Sequence, residues 1–249
     1  MEWSQIKPAW SFLTGRIGEM ARLVCNLCLA LTTVLAIYGC DTQLKTDLFA
    51  NDIYDAVNGG GKPVTLHAIV MFEIPSSNYL EEHSQQISSF LQRHFKAVKD
   101  LSTKNVDFDS FCVAKTEIPL YPTKNPSSSH PFFYLSALPS DKGIEVSAHV
   151  DNNKFELFSR DCENEFMQRI NSKDMSITIE FQNDTRKDIT CQVYSVYANQ
   201  KPVPLVGEIS LKRREPVTLD ISQVHIDYII KNGKSVVIVL PKISGIKKS

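Results

Sequence analysis

Hydrophobic and polar positions along the chain change period several times, and each change marks an element. From Asn78 to Leu101 apolar side chains recur at three and four residues: Ile87, Phe90, Leu91, Val98 and Leu101, with His94 on the same stripe. That spacing predicts one long amphipathic helix. Before it, "VTLHAIVMF" (Val64–Phe72) is β-branched and apolar between Pro63 and Pro75, which predicts a buried strand. After it, "NVDFDSFCV" returns to strand. Nearer the N-terminus, Asp47 can cap a short helix in which Phe49, Ile53 and Val57 share a stripe and Gly59 to Gly61 end it.

Beyond a loop rich in Pro and Ser, "YPTKNPSSSHP" (Tyr121–Pro131), the period shortens to two. "FFYLSAL", "IEVSAHV", "KFELFS", "SITIEFQ", "TCQVYSVYA", "GEISLK", "PVTLDI" and "SVVIVL" are separated by turn sequences such as "SDKG", "DNN", "NDTRKD" and "KNGK". Alternation in Ile177, Ile179, Phe181 and in Val193, Ser195, Tyr197 predicts antiparallel sheet with one solvated face. Cys162–Ile170 and Gln223–Lys231 are expected as short helices. The expected class is α+β: a strand–long helix–strand part over 62–125, then a mainly antiparallel β part over 131–249, as one domain or two.

The run "LVCNLCLALTTVLAIYGCD" (Leu23–Asp41) poses a separate question. A bilayer span needs about 20 apolar residues, whereas Leu23–Ile37 is shorter and Asn26 interrupts it. Arg22 before the run and Gly39 after it complete the pattern of an export signal. A cysteine follows the glycine directly. Ile37, Tyr38, Gly39 and Cys40 together resemble the lipobox of bacterial lipoproteins, with Tyr38 replacing the usual small residue. The resemblance implies that the Cys40 thiol takes a diacylglycerol as a thioether, that the Gly39–Cys40 bond is cut, and that the freed amine is acylated. Two or three acyl chains hold a protein firmly, at about 0.8 kcal/mol per buried CH₂. On this reading 1–39 is removed, with Met20 as an alternative start, and 40–61 is a lipidated lead-in carrying the short helix. An uncleaved signal anchor and a buried helix are the alternatives. Trp3 and Trp10 both lie in the removed part, so the mature chain has no tryptophan. By resemblance to enterobacterial lipoproteins, Asp41 after the lipidated cysteine implies retention on the periplasmic face of the inner membrane; the outer membrane is the other address. "CDTQLKTDL" is also similar to small lipoproteins of bacteria and their phages, and for the phage-encoded ones it implies blocking a receptor against a competing phage (superinfection exclusion).

Charge and cysteine content narrow the partners. The formal net charge is −1, and "LKRRE" (Leu211–Glu215) and the final lysine pair are short, so nucleic acid is not expected. Of six cysteines, Cys25 and Cys28 leave with the signal and Cys40 carries lipid. One disulfide among Cys112, Cys162 and Cys191 is allowed in an oxidising compartment, its pairing open, and their spacing fits no zinc motif. "NGGGKP" (Asn58–Pro63) lacks the spacing and the hydroxyl of a phosphate loop and reads as a turn. His83 and His94 are about three helical turns apart; His67, His130, His149 and His225 are scattered. The pairs Asp107/Asp109 and Glu163/Glu165 fit solvated surfaces, and "NDT" at Asn183 is formally a glycosylation sequon. No catalytic residue, metal ligand or cofactor is therefore expected. Two classes compete. One is a membrane-tethered binding protein held through acylated Cys40, with an envelope protein as partner. The other is a hydrolase or metal-dependent enzyme with dispersed residues, which a cleft of clustered histidines or carboxylates would favour.

Overall fold

The computed structural model describes residues 41–107, 109–123, 126 and 130–242, within the larger of two units, Cys40–Ser249. The stretch expected as an export signal, with Gly39 and Cys40, lies outside the described residues. Eleven strands are formed: β1 (Thr42–Phe49), β2 (Val64–Ile74), β3 (Lys96–Val106), β4 (Asp109–Tyr121), β5 (Phe133–Pro139), β6 (Ile144–Val150), β7 (Met175–Gln182), β8 (Ile189–Ala198), β9 (Lys201–Leu211), β10 (Pro216–Ile221) and β11 (Lys234–Leu240). Four helices join them: α1 (Ala50–Asn58), α2 (Tyr79–His94), α3 (Asn152–Phe166) and α4 (Gln223–Asn232).

Nine strands close into a barrel in the order β10, β7, β1, β2, β4, β5, β6, β11, β8 and back to β10. Outside the ring, β3 pairs with β4 and β9 with β8. The expected α+β class is thus overturned: 51% of the structure is strand and the helices are short. No strand–long helix–strand unit exists, because β2 pairs directly with β4 from Val64↔Leu120 to Ile74↔Ser110. The helix between them stops at His94 and is kinked at His83.

Val98 and Leu101, expected on the helix stripe, belong to β3. Two register shifts interrupt that strand, between Lys96 and Lys99 and between Lys99 and Ser102, with Ala97 and Asp100 at φ 49° and 54°. A bulge inserts a residue and breaks the period of two. Val98 and Leu101 therefore reach the core at a spacing of three, which mimics a helix. A second correction concerns "KFELFS", expected as a strand, and Cys162–Ile170, expected as a separate helix: residues from Asn152 to Phe166 form the single helix α3, which ends four residues short of Ile170. Phe155, Phe158, Cys162 and Phe166 are its buried stripe, and the Asp151 carboxylate caps it by accepting from the Lys154 N–H at 3.1 Å. The expected lead-in at 40–61 contains β1, whose inward positions are Thr42, Leu44, Thr46 and Leu48. Half of these are threonine, so no apolar alternation announces it.

Buried positions of the ring strands are mainly apolar, with Thr42, Thr46, Thr116, Ser136 and His149 among them, and merge with the helix stripes into one core that includes Phe72, Phe90, Phe158 and Phe166, whose ring centroids lie 5.0–5.5 Å apart. Outward positions carry charge, as at Lys45, Asp47 and Lys115. This is the reverse of a membrane barrel, whose lipid-facing band is apolar. No described helix is long and apolar enough to cross a membrane.

Seven steps around the ring are antiparallel and two are parallel. Straight strands cannot close such a ring, since an odd number of reversals returns the wrong direction. The turn is made in β8: Gln192 and Val193 pair with β11, Val196 to Ala198 pair with β10, and Ser195 between them has φ 51°. β1 and β7 run in parallel from one rim, at Thr42 and Met175, to the opposite end at Phe49 and Gln182. Eight residues of strand span about 26 Å.

Candidate functional site

At the end away from Thr42, β1 passes into α1 and β7 into the loop 183–188. The loop is built on Asn183, which has no exposed surface. Its side-chain amide donates to the carbonyls of Lys187, Leu211 and Lys212 at 2.9, 3.0 and 3.2 Å, and its oxygen accepts from the Thr185 N–H and hydroxyl. The Asp184 carboxylate accepts from the Asn51 N–H and side-chain amide, both at 2.9 Å, which fixes the loop against α1. Between them opens a cleft of about 600 Å³ lined by Asn51, Tyr54, Asp184, Arg186, Lys187 and Lys242. Burial pushes the Tyr54 phenol up to about 12, and its hydroxyl donates to the Pro241 carbonyl at 3.4 Å.

The same network brings "LKRRE" to this end. The Arg213 N–H donates to Asp188, and the Arg214 N–H donates to the Asn183 carbonyl. Arg186, Lys187, Lys212, Arg213, Arg214 and Lys242 are all exposed there, and among the described residues none of them makes an ion pair. Sequence reading noted "LKRRE" and set it aside as short; it missed this end because Arg186, Lys187 and Lys242 come from two other segments that only the fold brings beside it. The sequon asparagine lies under the patch with its amide fully engaged.

The histidines gather elsewhere. His94 Nε2 lies 3.2 Å from the Asp161 carboxylate without hydrogen-bond alignment, and His130 Nε2 lies 3.7 Å from Asp151. Both histidines line a cleft of about 290 Å³ with Arg93 and Lys154, whose ammonium donates to the His130 carbonyl at 2.5 Å. Among the described residues no serine, threonine or cysteine lines it. The nearby Ser136 hydroxyl is 2.7 Å from His149 Nε2, as in a nucleophile–base pair, but Ser136 has no exposed surface. Burial first, then the charges of Lys234 and His130, lower His149 to about 4, while Tyr134 stacks on its ring. This is a packed imidazole sharing a hydrogen bond with a buried hydroxyl. Among the described residues no group of three His, Cys, Asp or Glu is arranged to hold a metal.

The remaining sequence candidates disperse. Cys112, Cys162 and Cys191 are unbridged and buried, and burial pushes Cys112 up to about 11 and Cys191 to about 12. Glu165 pairs with Arg93, and Glu163 lies 3.9 Å from Arg169. His83 stacks on Tyr79. Asp41 sits at the opposite rim: its N–H donates to the Glu73 carboxylate at 2.9 Å and its carbonyl accepts from the Glu73 N–H at 3.0 Å. Partial burial, then the charges of Asp174 and Asp109, raise the Asp41 carboxyl above its ordinary range.

A family model described as "Domain of unknown function (DUF7424)" matches residues 42–244, a span that opens on the first residue of β1 and includes β11. No curated protein and no solved structure matches the chain.

Proposed function

The chain belongs to the DUF7424 family, and from its own residues we propose that it is a bacterial lipoprotein whose barrel is a binding module for an acidic partner in the cell envelope. Acylated Cys40 holds it to the bilayer, and Asp41 keeps it on the periplasmic face of the inner membrane. The observation that carries the binding reading is the placement of charge: six exposed cations from three segments meet at the end of the barrel opposite Asp41. Because β1 begins at Thr42, two residues after Cys40, the anchored rim stays close to the bilayer. The basic end is then held about 26 Å further out, one strand length away. Asp184, Asp188 and Glu215 lie among these cations and leave an excess of positive charge, which steers encounter with an acidic surface and gives a salt-dependent association.

Two measurements test the reading separately. Cys40→Ser abolishes metabolic palmitate labelling and leaves the precursor uncut; labelling that survives the change rejects the anchor. Cross-linking in the native envelope through a photoreactive residue at Lys187 yields one acidic adduct, which is lost at high salt and in the Arg186→Glu/Arg213→Glu variant. An adduct insensitive to both rejects the basic end as the binding surface.

A further inference from the structure

We infer that the rim around Asp41 is a membrane-contacting face, in which Met167, Val224 and Leu205 enter the interfacial region of the bilayer. The inference rests on the reading of Cys40 as the lipid-bearing residue. Asp41 is one peptide link from Cys40, so their Cα atoms are about 3.8 Å apart. Both backbone groups of Asp41 are bonded to Glu73, and Thr42 is already paired with Phe72 and Met175. Such a tether has no slack. Whatever surrounds Asp41 is held against the lipid headgroups.

The groups next to Asp41 are mostly polar, but exposed apolar side chains flank that rim. Met167, Val224 and Leu205 are 93%, 80% and 76% exposed, more than any other large apolar side chain among the described residues. Each is joined to the rim by a short chain of contacts. Met167 follows Phe166, whose ring lies 5.3 Å from that of Phe72, the strand partner of Thr42. Val224 follows Gln223, which lines a small rim cleft with Asp41 and Thr42 and donates to the Ser172 carbonyl at 2.7 Å. Leu205 follows Pro204, whose carbonyl accepts from the Ser195 hydroxyl, and the Ser195 carbonyl in turn accepts from the Ser222 N–H. Single exposed apolar residues need no explanation. Three from separate elements around one acylation point form the second contact of an anchored domain. The bilayer is the occupant because the acyl chains already place it there.

The absence of tryptophan from the mature chain makes the test clean. Acylated protein carrying Val224→Trp, Leu205→Trp or, on the exposed turn between β5 and β6, Asp141→Trp is reconstituted into phosphatidylcholine vesicles with brominated acyl chains. A zwitterionic lipid is chosen because Asp41, Glu73, Asp109 and Asp174 lie together at the rim. Bromine is expected to quench Val224→Trp and Leu205→Trp several-fold more than Asp141→Trp. Equal quenching in protein that floats with the vesicles overturns the inference and leaves the anchor intact. Protein that does not float overturns the anchor and the inference together. A concentration-dependent blue shift of Val224→Trp without bromine quenching assigns the patch to a second copy of the chain and also overturns it.

Discussion

The side chain of Asn183 donates to three backbone carbonyls and accepts twice from Thr185, entirely out of solvent. Each bond contributes about 1 kcal/mol net, but polar groups left buried and unpaired cost about 1–3 kcal/mol each. Asn183→Ala is therefore expected to lose about 3 kcal/mol, which lowers Tm by roughly 6–12 °C for a domain of this size. Thermal unfolding followed by circular dichroism checks this; a shift under about 2 °C would mean that water replaces the amide. The tripeptide "NDT" was visible in the sequence, yet its role was not. A sequon and a buried loop-organising asparagine are written with the same letters, and only the carbonyls of Leu211 and Lys212, far along the chain, distinguish them. The same holds for the basic end, where Arg186 and Arg213 become neighbours through Asp188.

Elements were legible where period and pairing agreed. β2, β5, β6, β7, β8, β10 and β11 fall on the segments whose apolar pattern announces strand, and α4 falls on Gln223–Asn232. Elements were lost where local geometry disguised the period. Bulges gave β3 a helical spacing, inward threonines hid β1, and the cap at Asp151 resembled a turn inside "DNN". Strand ends also create interactions that no single strand reveals. At the rim, Asp41 of the chain entering β1, Glu73 of β2, Asp109 of β4 and Asp174 before β7 come together, and burial with mutual repulsion raises the carboxyls of Asp41 and Glu73. A carboxyl raised on folding costs stability as pH rises from its unfolded value through its folded one, and the cost persists above that. Asp109→Asn, which removes one repelling charge, should stabilise the protein at pH 7 by less than about 1 kcal/mol, because exposed charges are screened. The gain should vanish below about pH 2.5, where the carboxyls are protonated in both states. Urea titrations at the two pH values measure it; a gain at both pH values would assign the effect to something other than charge.

Across the described residues the barrel separates two surfaces, an acidic rim around Asp41 and a basic end one strand length away, and makes their separation depend on the closed ring. That closure encloses three histidines from different elements: His94 ends α2, His149 lies in β6 and His225 in α4. Burial lowers all three, His149 from 6.5 to about 4. A histidine lowered on folding is neutral in the native barrel at pH values where the unfolded chain binds a proton. Its stabilising contribution is intact above pH 6.5 and is lost as pH falls towards the folded value. This is opposite in sign to the rim carboxyls and falls in a higher pH window. His149 alone accounts for on the order of 3 kcal/mol across that window, at up to about 1.4 kcal/mol per pH unit. Stability of the native chain is therefore expected to decline steeply between pH 6.5 and about 4. The Ser136 hydroxyl lies 2.7 Å from His149 Nε2, and His149→Gln keeps an amide that can donate or accept there while removing the titration. Whatever this variant loses at neutral pH, its slope between pH 6 and pH 4.5 should be shallower by about 1 kcal/mol per unit. Parallel slopes for the two proteins would mean that His149 takes up a proton as readily in the folded barrel as in the unfolded chain, and that the enclosure around Tyr134 and Ser136 admits a charge.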